Sequence, residues 1–386
     1  MNKLLFLLLC WFPTLLFSQV YPHNKPEKPL QTLSIAEVNA VFDDANKIYK
    51  SRDLNKLIDQ VSAVLNGAVL IAQDDIIITQ RSAGYNKMNV KRSDKRNTDT
   101  TCFELASVSK QFTATCILQL IAREKLFLED QLTDFFPNLP YPNITIRHLL
   151  THTSGLPEFF HFDPKWYQYN GLLKNRDVIK ALEVHRPKTV FKPGDRFSYT
   201  NTNYMLLAAI VEKVSGQSFE EYLKKNIFIP AGMRHSFCVT QLSQKRQEES
   251  IASGHKKKDV PLAIEFDDGT MGEKGIYSTV RDLFAWKKAY FNEGRILPKE
   301  WVFAASHPEN QLNDGNYPSE LYGYGFRLEE NPSFGRLVYH GGLWHGFQHL
   351  YLYYPEKNVF MVFLSNYCNG AHRGKSSEIL KILCGV

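Results

Sequence analysis

The chain has 386 residues, of which 44% are hydrophobic and 22% are charged, and its formal net charge is +6 at pH 7. This length and apolar content allow a large buried core, and the length alone suggests two or three domains. Lysines and arginines are scattered, and the densest run, Lys256-Lys257-Lys258, is short. A solvated loop is the better interpretation of that run, and no nucleic-acid-binding motif accompanies it, so we expect no nucleic-acid partner.

The first residues have the composition of an export signal. A polar, positive start at Asn2-Lys3 precedes an almost wholly apolar run over residues 4–17. We predict a signal peptide over residues 1–18, with cleavage near Ser18 or Gln19. The apolar run is shorter than the about 20 residues that a membrane-spanning helix needs, and no other run is long and apolar enough. The sequence therefore predicts export to the periplasm or the exterior, with no transmembrane segment after signal cleavage.

The first predicted elements of the mature chain are a helix, a pair of strands and a second helix. A capping box at Ser34-Ile35-Ala36-Glu37 predicts a helix that runs towards Lys50. Residues 67–80 are rich in β-branched side chains and predict two strands that turn at Asp74-Asp75. The next predicted helix carries Ser107. Its apolar stripe consists of Ala114, Ile117, Leu118 and Ile121.

Helical patterns dominate from about residue 115 to 265, and strands return in the last third of the chain. A strongly periodic helix is predicted over Asn203–Ser215, ending at Gly216, and another over Asp282–Phe291. The elements predicted after these are strands over Tyr324–Leu328, Arg336–Tyr339, Phe347–Tyr353 and Val359–Leu364, and a closing helix over Ser376–Leu383.

Strands at both ends of the chain with helices between them predict an α/β (α+β) fold. We expect one antiparallel sheet built from both chain ends and flanked by helices, with an inserted helical lobe. The predicted mature domain covers residues 19–386. Its α/β lobe takes in about residues 30–114 and 266–386, and its helical lobe about residues 115–265.

The cysteines do not predict a disulfide framework. Five remain after signal cleavage, an odd and widely spaced set without a C-x-x-C pair. We expect buried free thiols.

The most informative local pattern is Ser107-Val108-Ser109-Lys110. A serine and a lysine three residues apart share one face of a helix, which places an amine beside a hydroxyl that is a poor nucleophile unaided. The apolar stripe lies on the same face, so the lysine should be partly desolvated, which lowers its pKa. The pattern is weak alone, but it has two companions: Tyr199-Thr200-Asn201 in mid-chain, and His340-Gly341-Gly342 near the end.

In this order, the three motifs resemble those of the serine β-lactamase and penicillin-binding protein superfamily. The chain resembles most the branch that holds class C β-lactamases, D-alanyl-D-alanine carboxypeptidases, D-aminopeptidases and lactamase-like esterases. The segments that extend the resemblance are ITIRHLLTHTSGL at 144–156, FSYTNTNY at 197–204, GIYST at 275–279 and HGGLWHGF at 340–347. The resemblance implies a β-lactamase/transpeptidase-like fold.

It also implies catalytic roles. Ser107 would be the nucleophile that forms an acyl-enzyme, and Lys110 its general base. Tyr199 would share the proton with Lys110 and pass it to the leaving group. The backbone N–H groups of Ser107 and Leu343 would form the oxyanion hole.

The remaining motif residues would bind substrate. Asn201 would hydrogen-bond a substrate amide or hold the lysine in place. Gly341 and Gly342 would let a substrate lie along the strand edge without a Cβ in the way. His340 stands where class C β-lactamases carry the lysine of K-T-G, and an imidazole with a reference pKa of about 6.5 is mostly neutral at pH 7.5. An imidazolium at His340 would therefore anchor a substrate carboxylate only at lower pH, which weakens the expectation of strong β-lactamase activity.

We expect a secreted serine hydrolase that acts on a small-molecule ester, amide or peptide, with cell-wall D-amino-acid peptides among the candidates. Two alternatives stay open: a β-lactamase, and a non-catalytic penicillin-binding sensor domain that is acylated without turnover. No G-x-S-x-G motif is present, which argues against an α/β-hydrolase. No cofactor is expected. No metal is expected either, because His340, His345 and His349 have no carboxylate or cysteine at ligand spacing nearby.

Overall fold

The computed structural model describes residues 52–61, 65–87, 96–248, 250–257, 260–308, 321–370 and 375–385. The signal peptide and the helix predicted from Ser34 towards Lys50 lie outside these residues. The strands are β1 (Gly67–Gln73), β2 (Ile76–Ala83), β3 (Phe103–Glu104), β4 (Phe237–Cys238), β5 (His255–Lys257), β6 (Val260–Pro261), β7 (Ile276–Ser278), β8 (Leu321–Tyr322), β9 (Arg327–Asn331), β10 (Gly335–Trp344), β11 (Phe347–Tyr354) and β12 (Val359–Ser365).

Seven of these strands form one antiparallel sheet in the order β2-β1-β12-β11-β10-β9-β8. The first strand of the described chain pairs with the last, in a register that runs from Gly67 opposite Ser365 to Gln73 opposite Val359. The predicted sheet from both chain ends is therefore confirmed, and so is the α/β fold class. The two smaller sheets have the orders β3-β7-β4 and β5-β6.

The α-helices are 52–61, Lys110–Ala122, Leu132–Phe135, Ile146–Leu150, Asn175–His185, Asn201–Ser215, Phe219–Leu223, Ile229–Ala231, Leu242–Glu248, Val280–Lys287, Lys299–Ala305 and Lys375–Cys384. The helix predicted to end at Gly216 does so, with that glycine in the left-handed region at φ 69°. The predicted turn between the first two strands is also present. Asp74 and Asp75 have φ of 53° and 62°, as a two-residue hairpin turn requires.

The sheet is buried on both faces, and β1 shows why. Side chains alternate across a strand, so Ala68, Leu70 and Ala72 join the core cluster that holds the Lys110–Ala122 helix. Val69 and Ile71 face the other way, into a cluster with helices 52–61 and Lys375–Cys384. A strand buried on both sides loses polar alternation, which explains its continuous apolar sequence.

One predicted strand begins later than its sequence pattern suggested. The prediction started at Tyr324, whereas β9 begins at Arg327. Tyr324 N–H bonds to the Ala305 carbonyl, outside the sheet, at 3.1 Å. Gly325 has φ of 81°, and a Cβ there would lie 2.9 Å from the Lys110 carbonyl oxygen. The segment before β9 is thus shaped by close contact with the start of the Lys110–Ala122 helix.

Two other expectations concern thiols and membranes. The described cysteines are free thiols, but only Cys102, Cys116 and Cys238 are buried; Cys368 is exposed and Cys384 is partly exposed, so the prediction of uniform burial was wrong. Within the described ranges, no helix has both the length and the apolarity to cross a bilayer.

Candidate active site

Ser107 lies in a short 3₁₀ turn, Ala106–Ser109, that joins β3 to the Lys110–Ala122 helix. We call this segment the Ser107 turn. Ala106 has φ of 50°, a left-handed conformation that is costly for a residue with a Cβ. Val108 and Ser109 are buried, whereas Ser107 is only partly buried. The strained turn therefore leaves the Ser107 side chain partly exposed, while its neighbours are buried.

The Lys110 amine is fully buried and is surrounded by oxygen atoms from three parts of the chain. Nζ lies 3.1 Å from Ser107 Oγ. It donates to Asn201 Oδ1 at 2.7 Å and to the backbone carbonyl of Glu273 at 3.0 Å. The predicted proximity of Ser107, Lys110 and Asn201 is present in the structure.

These contacts determine which way the amine's lone pair points. Burial lowers the pKa of Lys110 from 10.5 to about 7, although the carboxylates of Glu273 and Glu158 oppose the shift. A neutral amine has two N–H bonds and one lone pair. The two carbonyl-type oxygens of Asn201 and Glu273 can only accept, so they take both N–H groups. The lone pair of the neutral amine is then left for the Ser107 hydroxyl.

Asn201 is held by Glu158, a residue that the sequence did not single out. One carboxylate oxygen of Glu158 accepts from Asn201 Nδ2 at 2.9 Å and from Asn201 N at 2.8 Å. This fixes the amide with its oxygen towards Lys110. Of the two roles expected for Asn201, holding the lysine is the one that this geometry provides, because both ends of its amide already have protein partners.

Tyr199 lies beside the amine, with its ring centroid 4.9 Å from Lys110 Nζ. Its hydroxyl is buried and makes no hydrogen bond of standard geometry among the described residues, but it lies near enough to the Ser107 side chain to interact with it. Burial raises the pKa of Tyr199 above its usual range, and the interaction with Ser107 opposes that rise. The hydroxyl is therefore protonated at neutral pH and lies next to the serine.

Two buried side chains hold the Ser107 turn in place. The Glu104 carboxylate accepts from Ala106 N at 2.9 Å and from Gly275 N at 2.8 Å. Burial raises the pKa of Glu104 to about 7, against these two hydrogen bonds. His349 Nε2 donates to the Glu104 carbonyl at 2.6 Å, and its Nδ1 accepts from Ser365 N. His349 is thus a support for the turn, and its bonds leave neither ring nitrogen for a metal.

Strand β10 packs against the Ser107 turn. It pairs with β9 only as far as Tyr339, so among the described strands residues 340–344 pair with β11 alone. Trp344 and Phe347 flank the two-residue turn to β11 and exchange hydrogen bonds, whereas the next pair, Leu343 and Gln348, does not. The Leu343 N–H therefore points away from β11, and its side chain is 63% exposed.

The two glycines of β10 differ in their surroundings. A Cβ on Gly342 would lie 2.5 Å from the Leu105 carbonyl oxygen and 3.0 Å from the His349 ring. A Cβ on Gly341 would have one neighbour, the His349 carbonyl oxygen at 3.8 Å. A glycine is needed at position 342 because the backbone leading into the Ser107 turn packs against it. This role differs from the expected one, which was to leave space for substrate. Gly341 keeps the space predicted for it.

His340 is buried, and both of its ring nitrogens have protein partners. Nδ1 donates to the Gly341 carbonyl at 2.7 Å, so Nε2 accepts from Tyr322 Oη at 3.2 Å. Burial, Arg327 and Lys110 hold the pKa of His340 well below its usual 6.5. This geometry is at odds with the expected imidazolium, because a neutral, fully bonded ring offers no charge to a substrate carboxylate.

Arg327, the first residue of β9, provides positive charge that the sequence interpretation missed. Its guanidinium carbon lies 5.0 Å from the Tyr199 ring centroid, over the same ring that the lysine approaches. Its charge lowers the pKa of Lys110 and of His340, and it opposes the rise in the pKa of Tyr199. Arginine remains charged at all relevant pH values.

His345 lies near carboxylates that are distant from it in the sequence. In the described part of the chain, ligand atoms of Glu265, Asp267 and His345 lie within 4.8 Å of one another, and no ion is present. Asp268 accepts from His345 Nδ1 at 2.9 Å, and these acidic neighbours raise the pKa of His345 against its burial. Carboxylates do lie near this histidine, contrary to the sequence interpretation. The contact of His345 Nδ1 with the Asp268 carboxylate accounts for the group.

The fold and these contacts match a known family. A model of the beta-lactamase family matches residues 54–381. The chain therefore belongs to the beta-lactamase family. It is similar to penicillin-binding protein 4* of Bacillus subtilis (strain 168), with 34% identity over 316 residues that cover 78% of this chain and 68% of that protein.

Other members of the beta-lactamase family extend the similarity. A D-aminopeptidase of Gluconobacter oxydans (strain 621H) is 28% identical over 331 residues, which cover 83% of this chain and 59% of that protein. The crystal structure of a penicillin binding protein from Bacillus halodurans superposes with a TM-score of 0.71 at 27% identity, covering 86% of this chain and 98% of that chain. The family in general consists of serine hydrolases.

The glycines of β10 give a paired test of the cleft's geometry. Gly342→Ala should destabilise the protein by about 1–3 kcal/mol, because the new methyl group overlaps a backbone carbonyl that cannot move without the Ser107 turn. Gly341→Ala should lose much less, since its Cβ has an ordinary contact. Urea unfolding of both variants measures the difference. Equal losses would show that the turn does not pack against Gly342 as described.

Proposed function

We propose that the protein is a hydrolase in which Ser107 attacks the carbonyl of an ester or amide and forms an acyl-enzyme. The observation that carries this proposal is the buried Lys110 amine, whose two N–H groups bind carbonyl oxygens while its lone pair is left for the serine at 3.1 Å. A base with a pKa of about 7 is suited to removing a serine proton near neutral pH.

In the proposed acylation step, Ser107 Oγ bonds to the carbonyl carbon while its proton moves to Lys110 Nζ. The negative oxygen that forms would be bound by the N–H groups of Ser107 and Leu343. The bond to the leaving group then breaks; the Tyr199 hydroxyl gives its proton to that group and takes the proton held by Lys110 Nζ, so the amine is neutral again. The position of Tyr199 supports the assignment, because its hydroxyl interacts with the Ser107 side chain and its ring centroid lies 4.9 Å from Lys110 Nζ.

In the proposed deacylation step, water attacks the acyl carbon and Ser107 leaves. The neutral Lys110 amine takes the proton from water and returns a proton to Ser107 Oγ, which restores the starting state. Each turnover therefore consumes one water and releases one acid and one alcohol or amine.

We propose substrates that carry a negative charge near the scissile bond. Arg327 supports this assignment because its permanent charge lies over the Tyr199 ring, whereas the buried His340 is neutral. A carboxylate at that place would form a charge-assisted hydrogen bond with the guanidinium. Peptides that end in a D-amino acid have such a carboxylate, and so does penicillin, which the name of the similar penicillin-binding protein mentions.

Kinetic measurements distinguish the proposed hydrolase from the two alternatives, a non-catalytic penicillin-binding sensor domain and a β-lactamase. Similarity to proteins named for penicillin binding favours a domain that is acylated but turns over slowly. Stopped-flow measurement with p-nitrophenyl acetate distinguishes them, since a single stoichiometric burst without a steady state indicates a sensor and continued release indicates a hydrolase. Nitrocefin under the same conditions tests the β-lactamase alternative, for which sustained hydrolysis is the required result.

We also propose that the chain is exported and that residues 1–18 are removed. The motivation is the positive start followed by the apolar run. Sequencing the N-terminus of the protein recovered from a bacterial periplasm would show Gln19, or a residue next to it, if the proposal is right.

The first functional prediction concerns Ser107 and the pH dependence set by Lys110. The folded pKa of Lys110 is lowered, so the fraction of neutral amine rises as pH increases through about 7. Hydrolysis of a neutral p-nitrophenyl ester should therefore increase over pH 5.5 to 9 with a midpoint near 7, and Ser107→Ala should abolish it at every pH. Initial rates give the profile, and labelling by a fluorophosphonate confirms the nucleophile.

Glu104 has a similar pKa and serves as the control for this profile. Its carboxylate raises the pKa of Lys110, so Glu104→Gln should shift the midpoint to lower pH and leave the pH-dependent rise in place. If the increase of the rate with pH disappears in Glu104→Gln, the titrating group is the Glu104 carboxyl and not the Lys110 amine. Unchanged turnover in Ser107→Ala would rule out the mechanism altogether.

The second functional prediction separates charged from neutral substrates. Arg327→Gln should lower kcat/KM for an ester with a terminal carboxylate roughly tenfold relative to a neutral ester, the loss expected for one charge-assisted hydrogen bond of about 1.5 kcal/mol. Removing this cation also raises the pKa of Lys110, so the comparison is made at pH 9, where the amine is neutral in both proteins. Arg327→Lys, which keeps the charge, should retain more discrimination. Equal losses for the two esters would contradict the assignment.

A further inference from the structure

His152 is a buried residue of the 144–156 segment, and it holds the chain on both sides of Tyr199. Its backbone carbonyl accepts from Ser198 N at 2.8 Å. Its Nδ1 accepts from Thr200 N at 3.3 Å. The residue therefore binds the amides immediately before and after the tyrosine.

The His152 ring also packs directly on the Tyr199 ring. Their centroids are 4.3 Å apart with an interplanar angle of 32°. The other faces and edges of the imidazole contact Tyr204 at 5.1 Å and Tyr322 at 4.8 Å. Such a ring cannot move without moving the tyrosine, because packing in a core of this kind leaves no room for an alternative position.

The hydrogen bonds of His152 fix its neutral tautomer. A backbone N–H can only donate, so Nδ1 must accept from Thr200 N, and it also accepts from Asn203 Nδ2 at 3.2 Å. The ring proton is then on Nε2. A proton on Nδ1 would face the two N–H donors of Thr200 and Asn203, so three donors would meet without an acceptor. Burial and the charge of Lys110 also hold the pKa of His152 well below its usual value.

We propose that His152 is a positioning residue that holds the Tyr199 hydroxyl against Ser107 for proton transfer to the leaving group. The proposal rests on the serine hydrolase function above. It goes beyond that function by assigning the orientation of the proton relay to one buried, neutral histidine. His152 does not touch the reacting atoms, so its effect must appear only in steps that need Tyr199.

Leaving groups of different basicity isolate those steps. The alkoxide of an alkyl ester is a strong base, so it must receive a proton as the C–O bond breaks. p-Nitrophenolate is a weak base and leaves without a proton. His152→Phe keeps a ring but loses the acceptor for Thr200 N. It should lower kcat about 100-fold for the alkyl ester, within the range of a general acid's contribution, and less than threefold for the p-nitrophenyl ester of the same acid, with KM little changed.

Tyr199→Phe should show the same selectivity, and adding His152→Phe to it should cause little further loss. His148→Phe is the matched control. His148 lies in the same segment and its Nδ1 also accepts a backbone N–H, from Thr145 at 3.1 Å, but at the start of its own helix. It should leave the ratio of the two ester rates unchanged.

If His152→Phe fails to fold in thermal unfolding, His152→Gln keeps an acceptor for Thr200 N and should show a smaller selective loss. Equal losses on both esters, or the same change in ratio for His148→Phe, would overturn the positioning role. These outcomes differ from a failure of the proposed function, in which Ser107→Ala would retain turnover of either ester.

Discussion

Burial of the Lys110 amine is the constraint on which the rest of the site depends. Moving an ammonium ion out of water costs several kcal/mol even after the protein relaxes, and the oxygens in contact with Nζ are neutral ones from Ser107, Asn201 and Glu273. The Glu273 and Glu158 carboxylates offset only part of the penalty, so the amine's pKa falls to about 7. A group that would be a surface cation elsewhere becomes a base here. Its three neighbouring oxygens come from separate segments of the chain, so the base exists only when the fold is complete.

The same burial keeps the surrounding groups neutral. Tyr199 is protonated because burial raises its pKa, and His152 and His340 are uncharged because burial and the nearby positive charges disfavour an imidazolium. Arg327 differs from these groups because its guanidinium does not lose its proton. Neutral groups with fixed hydrogen-bond directions can pass protons to one another without a nearby counter-ion. The anionic substrates proposed above depend on this one permanent charge beside the neutral groups.

The sequence predicted what is local or periodic. Helical spacing placed Ser107 beside Lys110, and the strands at both chain ends indicated one antiparallel sheet. Alternation and turn residues located most strands of the seven-stranded sheet but none of the short strands in the two smaller sheets. The residues that escaped prediction act through tertiary contacts. Glu158 supports Asn201 from 43 positions away, and the Glu104 carboxylate reaches Gly275 across 171 positions. Neither leaves a periodic signal in a single sequence. His340 was considered as a carboxylate anchor at low pH because its motif was visible, whereas its burial and its bonds to Tyr322 and Gly341 were not.

The start of strand β9 links the two halves of the site. Arg327 is both the first residue of β9 and the partner of Tyr339, the last residue of β10 that β9 covers. Past that pair, β9 no longer occupies the edge of β10, so the Leu343 N–H is directed away from β11, where the proposed mechanism uses it as an oxyanion donor. The chain therefore places its arginine where the edge of β10 becomes available. Two contacts fix the start of β9: the pairing of Tyr322 in β8 with Arg327, and the approach of Gly325 to the Lys110 carbonyl. In the proposed mechanism, these contacts hold the cation at the start of β9 near the helix that carries the base.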